Sequence, residues 1–129
     1  MEDLRFNATS TTPKISFSMN GIMEIQGKSV PDAESNFWNL VSDWFQLYMY
    51  TPASKTIIKL QIDYLNTSSS KQVLYLLYRL NELKERGLEA EVLWFFNAND
   101  VDMQEVGRDY ENLVKVPFSF LKIQEAVLS

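Results

Sequence analysis

The sequence predicts a single α/β domain, spanning residues 1–129, built on a mixed sheet of about five to six strands, with an amino-terminal hairpin followed by alternating helices and strands. Three observations carry that expectation. Apolar residues recur with period two over the first thirty or so positions, then switch between period two and the 3.6 of a helix. Asn20-Gly21 lies between two β-prone runs, the strongest short hairpin signal a sequence offers. The chain of 129 residues, 46% hydrophobic and 22% charged, has no internal repeat and no low-complexity linker, which suits one core.

Leu4 to Ala8 alternates as a short strand, and NATSTTP reads as loop up to Pro13. Ile15, Phe17 and Met19 alternate in KISFSMNG, and IMEIQGKSV returns the chain as the hairpin partner. From Asp32, preceded by Pro31, the period becomes helical. Phe37, Leu40, Val41, Trp44, Phe45, Leu47 and Tyr48 fall on one side of the wheel, Asn36, Asn39, Ser42, Asp43 and Gln46 on the other, and Thr51-Pro52 ends the run. In TIIKLQIDYL, residues 56–65, strand alternation puts Ile58, Leu60, Ile62 and Tyr64 on one face. A helix over 69–86 buries Val73, Leu76, Leu77, Leu80 and Leu83 and stops at Gly87. EAEVLWFF, residues 89–96, is apolar enough for an interior strand. The turn Asn97–Asp100 leads into a third helix with Met103, Val106, Tyr110 and Leu113 on a narrow apolar face. VPFSFLKI closes the sheet, with Pro117 favouring an edge. Strands separated by helices run parallel, hence a mixed sheet. Trp38, Trp44 and Trp94 sit in apolar patterns and belong to the core.

Composition removes several function classes. Twelve Lys and Arg against 17 Asp and Glu give a net charge of −5, with no basic run, so nucleic acid is excluded as a partner. MEDLRF is acidic where a leader would be basic, and the longest purely apolar run is Val73 to Tyr78, which predicts a cytoplasmic protein with no membrane segment. There is no cysteine and no histidine. That leaves no disulfide, no thiolate, none of the usual zinc ligands and no imidazole base, and predicts a binding protein without metal, cofactor or catalytic residues. A small Ser/Lys hydrolase is a distant alternative, since hydroxyls are present but no base is identifiable. No glycine-rich run forms a phosphate cradle. DVDMQEVGRDYE, residues 100–111, is similar to a calcium loop, but Glu105 stands where the turn needs glycine, and Met103, Val106 and Tyr110 describe a helix instead. Its acids form a solvated face able to attract a basic partner.

YLNTSSSKQV, residues 64–73, is the informative stretch. Four hydroxyls (Thr67, Ser68, Ser69, Ser70) follow one another where a strand gives way to a helix. A helix start leaves N–H groups unpaired and carries partial positive charge, attracting side-chain oxygens and anions alike. Ser69 with Gln72 three residues on fits a capping box, which turns Ser69 inward and leaves Thr67 and Ser68 upstream, facing solvent. Two readings stand: a cap and turn only, which the physics favours, or a phosphoacceptor, where a phosphate adds about −1.5 to −2 charges at a site that tolerates anions.

The run YLNTSSSK resembles the signature of the SiaC family of bacterial regulatory phosphoproteins, whose fold is similar to that of anti-sigma factor antagonists. TPKI at 12–15, GKSVPD at 27–32, the Trp44 helix, MQEVG in the third helix and VPFSF near the end extend the resemblance along nearly the whole chain. It departs at Pro31-Asp32-Ala33, where similar sequences often have Pro-Glu-Asn. The resemblance implies that Thr67, with Ser68 as the fallback, is reversibly phosphorylated by the protein kinase and protein phosphatase of a partner-switching pathway. It further implies that the unphosphorylated form binds and activates a diguanylate cyclase, promoting cyclic di-GMP and biofilm signalling; the alternative output is an anti-sigma-type regulator. Asn66, Ser68, Ser70, Lys71, Tyr75 and Tyr78 make up the candidate interface of a protein that is a monomer when isolated. Lys71, one turn into the helix, fits either an ordinary exposed lysine, the reading favoured on its own, or a partner for a phosphate on Thr67. Tyr75 and Tyr78 fit either outward interface aromatics or lateral core packing.

Overall fold

The structure, a computed structural model, describes residues 1–123. In chain order it runs β1 (Leu4–Phe6), β2 (Lys14–Phe17), β3 (Ile22–Ser29), α1 (Phe37–Tyr48), β4 (Lys55–Leu65), α2 (Thr67–Glu85), β5 (Glu89–Asn97), α3 (Val101–Leu113) and β6 (Phe118–Ile123). One six-stranded sheet takes its strands in the order of the sequence. The first three pair antiparallel and β3 to β6 pair parallel, so the sheet is mixed, as its period changes predict. At Asn20-Gly21 the chain turns with Gly21 at φ +100°, its N–H donating to the Ser18 carbonyl. Only glycine fits there, because a Cβ would run into the Lys55 carbonyl oxygen. β6 lies at the sheet edge, where Pro117 is tolerated, and the Pro117 carbonyl accepts from Val92 N–H.

Successive parallel strands are added on the same side of their predecessor, and right-handed crossovers then place every connecting helix on the same face. The burial pattern agrees. Ile15, Phe17, Met23, Ile25, Ile58, Leu60, Val92 and Trp94 share one face of the ladder and are buried. Opposite them Ser16, Glu24, Lys59, Gln61 and Leu93 remain part-exposed, and Lys59–Glu24 and Lys55–Glu91 form ion pairs across that open face. Trp44 and Phe45 of α1 meet Phe17 edge-on, and Tyr110 of α3 rests against Trp94. All three tryptophans are core residues.

The structure corrects several boundaries and faces. The first helix does not begin at Asp32. Its carboxylate accepts from Glu34 N–H (3.2 Å) and its carbonyl from Ser35 N–H (3.1 Å), a turn that delays α1 to Phe37. The buried stripe of α1 is Trp38, Val41, Trp44, Phe45 and Tyr48, narrower than the wheel suggests, and Leu40 and Leu47 are exposed at its edges. Tyr64 is not on the core face of β4 but 55% exposed. The β3–β4 register slips between Gly27 and Lys28, which pair with Ile62 and Tyr64 and leave Asp63 over. One extra residue inverts the alternation, so Leu65 is buried in place of Tyr64. Leu113 is likewise exposed, and the inner face of α3 is completed by Gly107, which lets the helix approach Trp94.

Candidate functional site

The NTSSS turn lies where β4 leaves the sheet, beside the carboxyl end of β3. Asn66 N–H donates to the Ser29 carbonyl (2.9 Å), extending the strand contact by one residue. Asn66 then adopts an extended ψ of 173° and becomes the N-cap of α2: its Oδ1 accepts from Ser69 N–H at 2.9 Å. Its Nδ2 donates to the Pro31 carbonyl at 3.2 Å, tying the helix start to the loop before α1. Ser69 is therefore not the cap, and Gln72 closes no capping box with it. The Ser69 hydroxyl is fully buried, 2.7 Å from Ser29 Oγ, which also accepts from Trp38 Nε1 at 2.9 Å. Asparagine is at least as good a cap as serine, and here it stands three residues earlier at a strand end, so the helix starts at Thr67.

The four hydroxyls thus have four different environments. Thr67, the first residue of the helix, is exposed, and among the described residues its hydroxyl makes no hydrogen bond. Ser68 is exposed but donates to Asn66 Oδ1 at 3.2 Å. Ser69 is sealed in the core. Ser70 is half-buried, and its carbonyl accepts from the Tyr110 hydroxyl of α3 at 2.9 Å. Burial pushes the Tyr110 phenol up to about 12, against a smaller opposing effect of Ser70. The backbone N–H groups of Ser69 and Ser70 are taken by Asn66. Those of Thr67 and Ser68 lead out of the helix at its positive end, a setting that receives anions.

Beyond the turn, Thr67, Lys71, Tyr75 and Tyr78 recur at i, i+4, i+8 and i+11, and therefore share one side of α2. All four are exposed, with Tyr75 at 53% and Tyr78 at 39%, so the tyrosines are outward aromatics and not lateral core. Of the candidate interface residues, Ser68, Lys71, Tyr75 and Tyr78 lie on this surface, whereas Asn66 and Ser70 are half-buried and engaged in internal bonds. Gln72 lines the seam between α1 and α2 with Ser42 and Tyr75. Farther along, an open cavity of about 330 Å³ lies between Gln46, Met49, Tyr50, Arg79, Glu82 and Arg86. Arg79 is twelve residues from Thr67, roughly 18 Å along the helix. Sequence reasoning missed the supports of the turn. Nothing in the local pattern marks Ser29 as a buried acceptor for Trp38 or Tyr110 as a tie to Ser70; a buried Trp or Tyr needing a polar partner was the available signal.

A family model described as SiaC family regulatory phosphoprotein matches residues 6–123. An uncharacterised protein of Pseudomonas aeruginosa strain UCBPP-PA14 is 26% identical over 120 residues, which is 92% of this chain and 95% of that protein. The crystal structure of apo-SiaC from Pseudomonas aeruginosa is similar at a TM-score of 0.86 and 26% identity, over 94% of this chain and 99% of that one. A chain in the crystal structure of the diguanylate cyclase SiaD in complex with its activator SiaC, from the same organism, reaches a TM-score of 0.87 at 24% identity, over 94% of this chain and all of that one. The family match runs from β1 to β6 and takes in the whole Thr67 turn, and the chain belongs to the SiaC family of regulatory phosphoproteins.

Proposed function

We propose that this protein is a non-enzymatic phospho-switch in which reversible phosphorylation of Thr67, by a kinase and a phosphatase of its own pathway, decides whether it binds and activates a diguanylate cyclase. The unphosphorylated form is the binder. The observation that carries this reading is the Thr67 hydroxyl, exposed and making no hydrogen bond among the described residues, at the start of α2 and on the same side as Lys71, Tyr75 and Tyr78. Support also comes from the relative: SiaC of Pseudomonas aeruginosa is an activator of the diguanylate cyclase SiaD and is crystallised in complex with it.

The physics of the switch follows from the site. A phosphate on Thr67 brings about −1.5 to −2 charges to a helix start whose free N–H groups hold anions, so the fold persists. A partner docking over the turn and the exposed tyrosines would then have to desolvate that phosphate, and Lys71 on the same side would be drawn to it. Binding is lost without unfolding. The chain has neither histidine nor cysteine to serve as base or nucleophile, which fits a protein that acts by docking. Among the described residues no helix is long and apolar enough to cross a membrane, and the proposed cyclase encounter is cytoplasmic. Calorimetry with the cognate cyclase tests the reading. Thr67→Ala should bind constitutively, and fully phosphorylated protein should lose tenfold or more in affinity, about 1.4 kcal/mol. Equal affinities of the phosphorylated and unmodified proteins would sink it.

A further inference from the structure

Thr67 and Ser68 are adjacent, exposed hydroxyls, and exposure alone does not choose between them. Serine is the less hindered acceptor. What separates the two is Asn66, whose Oδ1 accepts a hydrogen bond from the Ser68 hydroxyl at 3.2 Å, whereas the Thr67 hydroxyl has no partner among the described residues. The orientation of this carboxamide is not ambiguous: its oxygen must face the Ser69 N–H, and its nitrogen must face the Pro31 carbonyl. Clamped at both ends, Asn66 holds its acceptor beside Ser68. In phosphoryl transfer the acceptor oxygen attacks the γ-phosphorus of a kinase-bound ATP, the new O–P bond forms as the β–γ bridge bond breaks, ADP leaves, and the hydroxyl proton passes to the base of the kinase. Ser68 must first break its bond to Asn66 before its proton can pass to that base. Thr67 has no such bond to break.

We infer that Asn66 is a positioning residue that selects Thr67 over Ser68 as the phosphoacceptor by engaging the competing hydroxyl. This rests on the reading of the turn as a phosphorylation site, and the two are separable by experiment. Wild type, Asn66→Gly and Asn66→Asp are expressed in the native cell, purified and mapped by tandem mass spectrometry, and the ratio of phosphoserine 68 to phosphothreonine 67 is read. Glycine is an acceptable N-cap that removes the side chain with little loss of helix, and circular dichroism checks that the fold is kept. Aspartate keeps the acceptor for Ser68, loses the donor to Pro31 and adds one negative charge beside both hydroxyls, so it tests the acceptor apart from the amide. The ratio should rise roughly three- to tenfold in Asn66→Gly, the range expected for one net hydrogen bond, and stay at the wild-type value in Asn66→Asp. A change in cap stability alone would not redistribute phosphate between neighbours. An unchanged ratio in Asn66→Gly overturns the inference, as does loss of all modification in that variant, or an Asn66→Asp protein that shifts as far as Asn66→Gly. Wild type carrying phosphate on neither residue overturns the phosphoacceptor reading, and the inference falls with it.

Discussion

Asn66 makes three side-chain hydrogen bonds, and Thr67 beside it makes none among the described residues. Stability should divide the same way in the unmodified protein. Asn66→Ala should cost about 0.5–2 kcal/mol, as loss of an N-cap does. Thr67→Ala should stay within about 0.5 kcal/mol, as substitutions at exposed, unbonded positions do. Urea melts of the two variants check this, and a Thr67→Ala protein less stable than Asn66→Ala would mean that the cap has been misplaced. At this scale the sequence was legible in kind but not in detail. LNTSSSK announces a helix start beside exposed hydroxyls, and Ser69 with Gln72 matches a capping box on spacing alone. The choice of Asn66 is made by the Ser29 and Pro31 carbonyls, residues far back in the chain that no local pattern connects to it. The burial of Ser69 against Ser29 and Trp38 was hidden for the same reason.

Elements were readable wherever one period governed a whole segment, and misread where a single residue altered the phase. β5 matches its apolar run almost to the residue, and Asp100 caps α3 through Met103 N–H after the expected turn. β4 kept its strand assignment but exchanged Tyr64 for Leu65, because the slip opposite Gly27 cannot be seen from one strand. In α3, local propensity treats Gly107 as a mild weakness worth about 1 kcal/mol relative to alanine. The fold reverses that sign. A Cβ at Gly107 would stand 2.6 Å from Trp94 Nε1, and the indole cannot simply yield, since it donates to the Met103 carbonyl at 3.1 Å. Gly107→Ala should therefore destabilise the protein by about 1–3 kcal/mol through overpacking. It should also alter the Trp94 emission spectrum in the native state. Thermal melts with fluorescence detection check both, and a more stable Gly107→Ala protein would show that α3 does not rest on Trp94 as described.

At the scale of the whole molecule, the Tyr110 bond to the Ser70 carbonyl joins the last helix to the turn that carries Thr67. With the folded phenol near 12 against an ordinary value of 10.0, both states are neutral below pH 10 and its contribution is fully present. Above pH 10 the unfolded phenol ionises first and stability falls, levelling once the folded group ionises too. The loss is about 2–3 kcal/mol. Tyr110→Phe should cost about 0.5–1.5 kcal/mol at neutral pH and should lose less than wild type between pH 10 and 12. Urea midpoints measured across that range check the sign, and parallel curves would refute it. Fold class, strand number and the edge position of β6 were all within reach of the sequence, whereas strand order was not, because periodicity tells which way a side chain faces and not which strand lies alongside. That order has a consequence for how the protein is made. Since neighbours in the sheet are neighbours in the chain, each new strand joins an existing edge and none has to be threaded between two already paired. A nascent chain that has emerged through α2 already holds the partners that fasten Asn66 to Ser29 and Pro31. Tyr110 emerges later, so the turn bearing Thr67 is anchored on one side during synthesis and on the other only after α3 has left the ribosome.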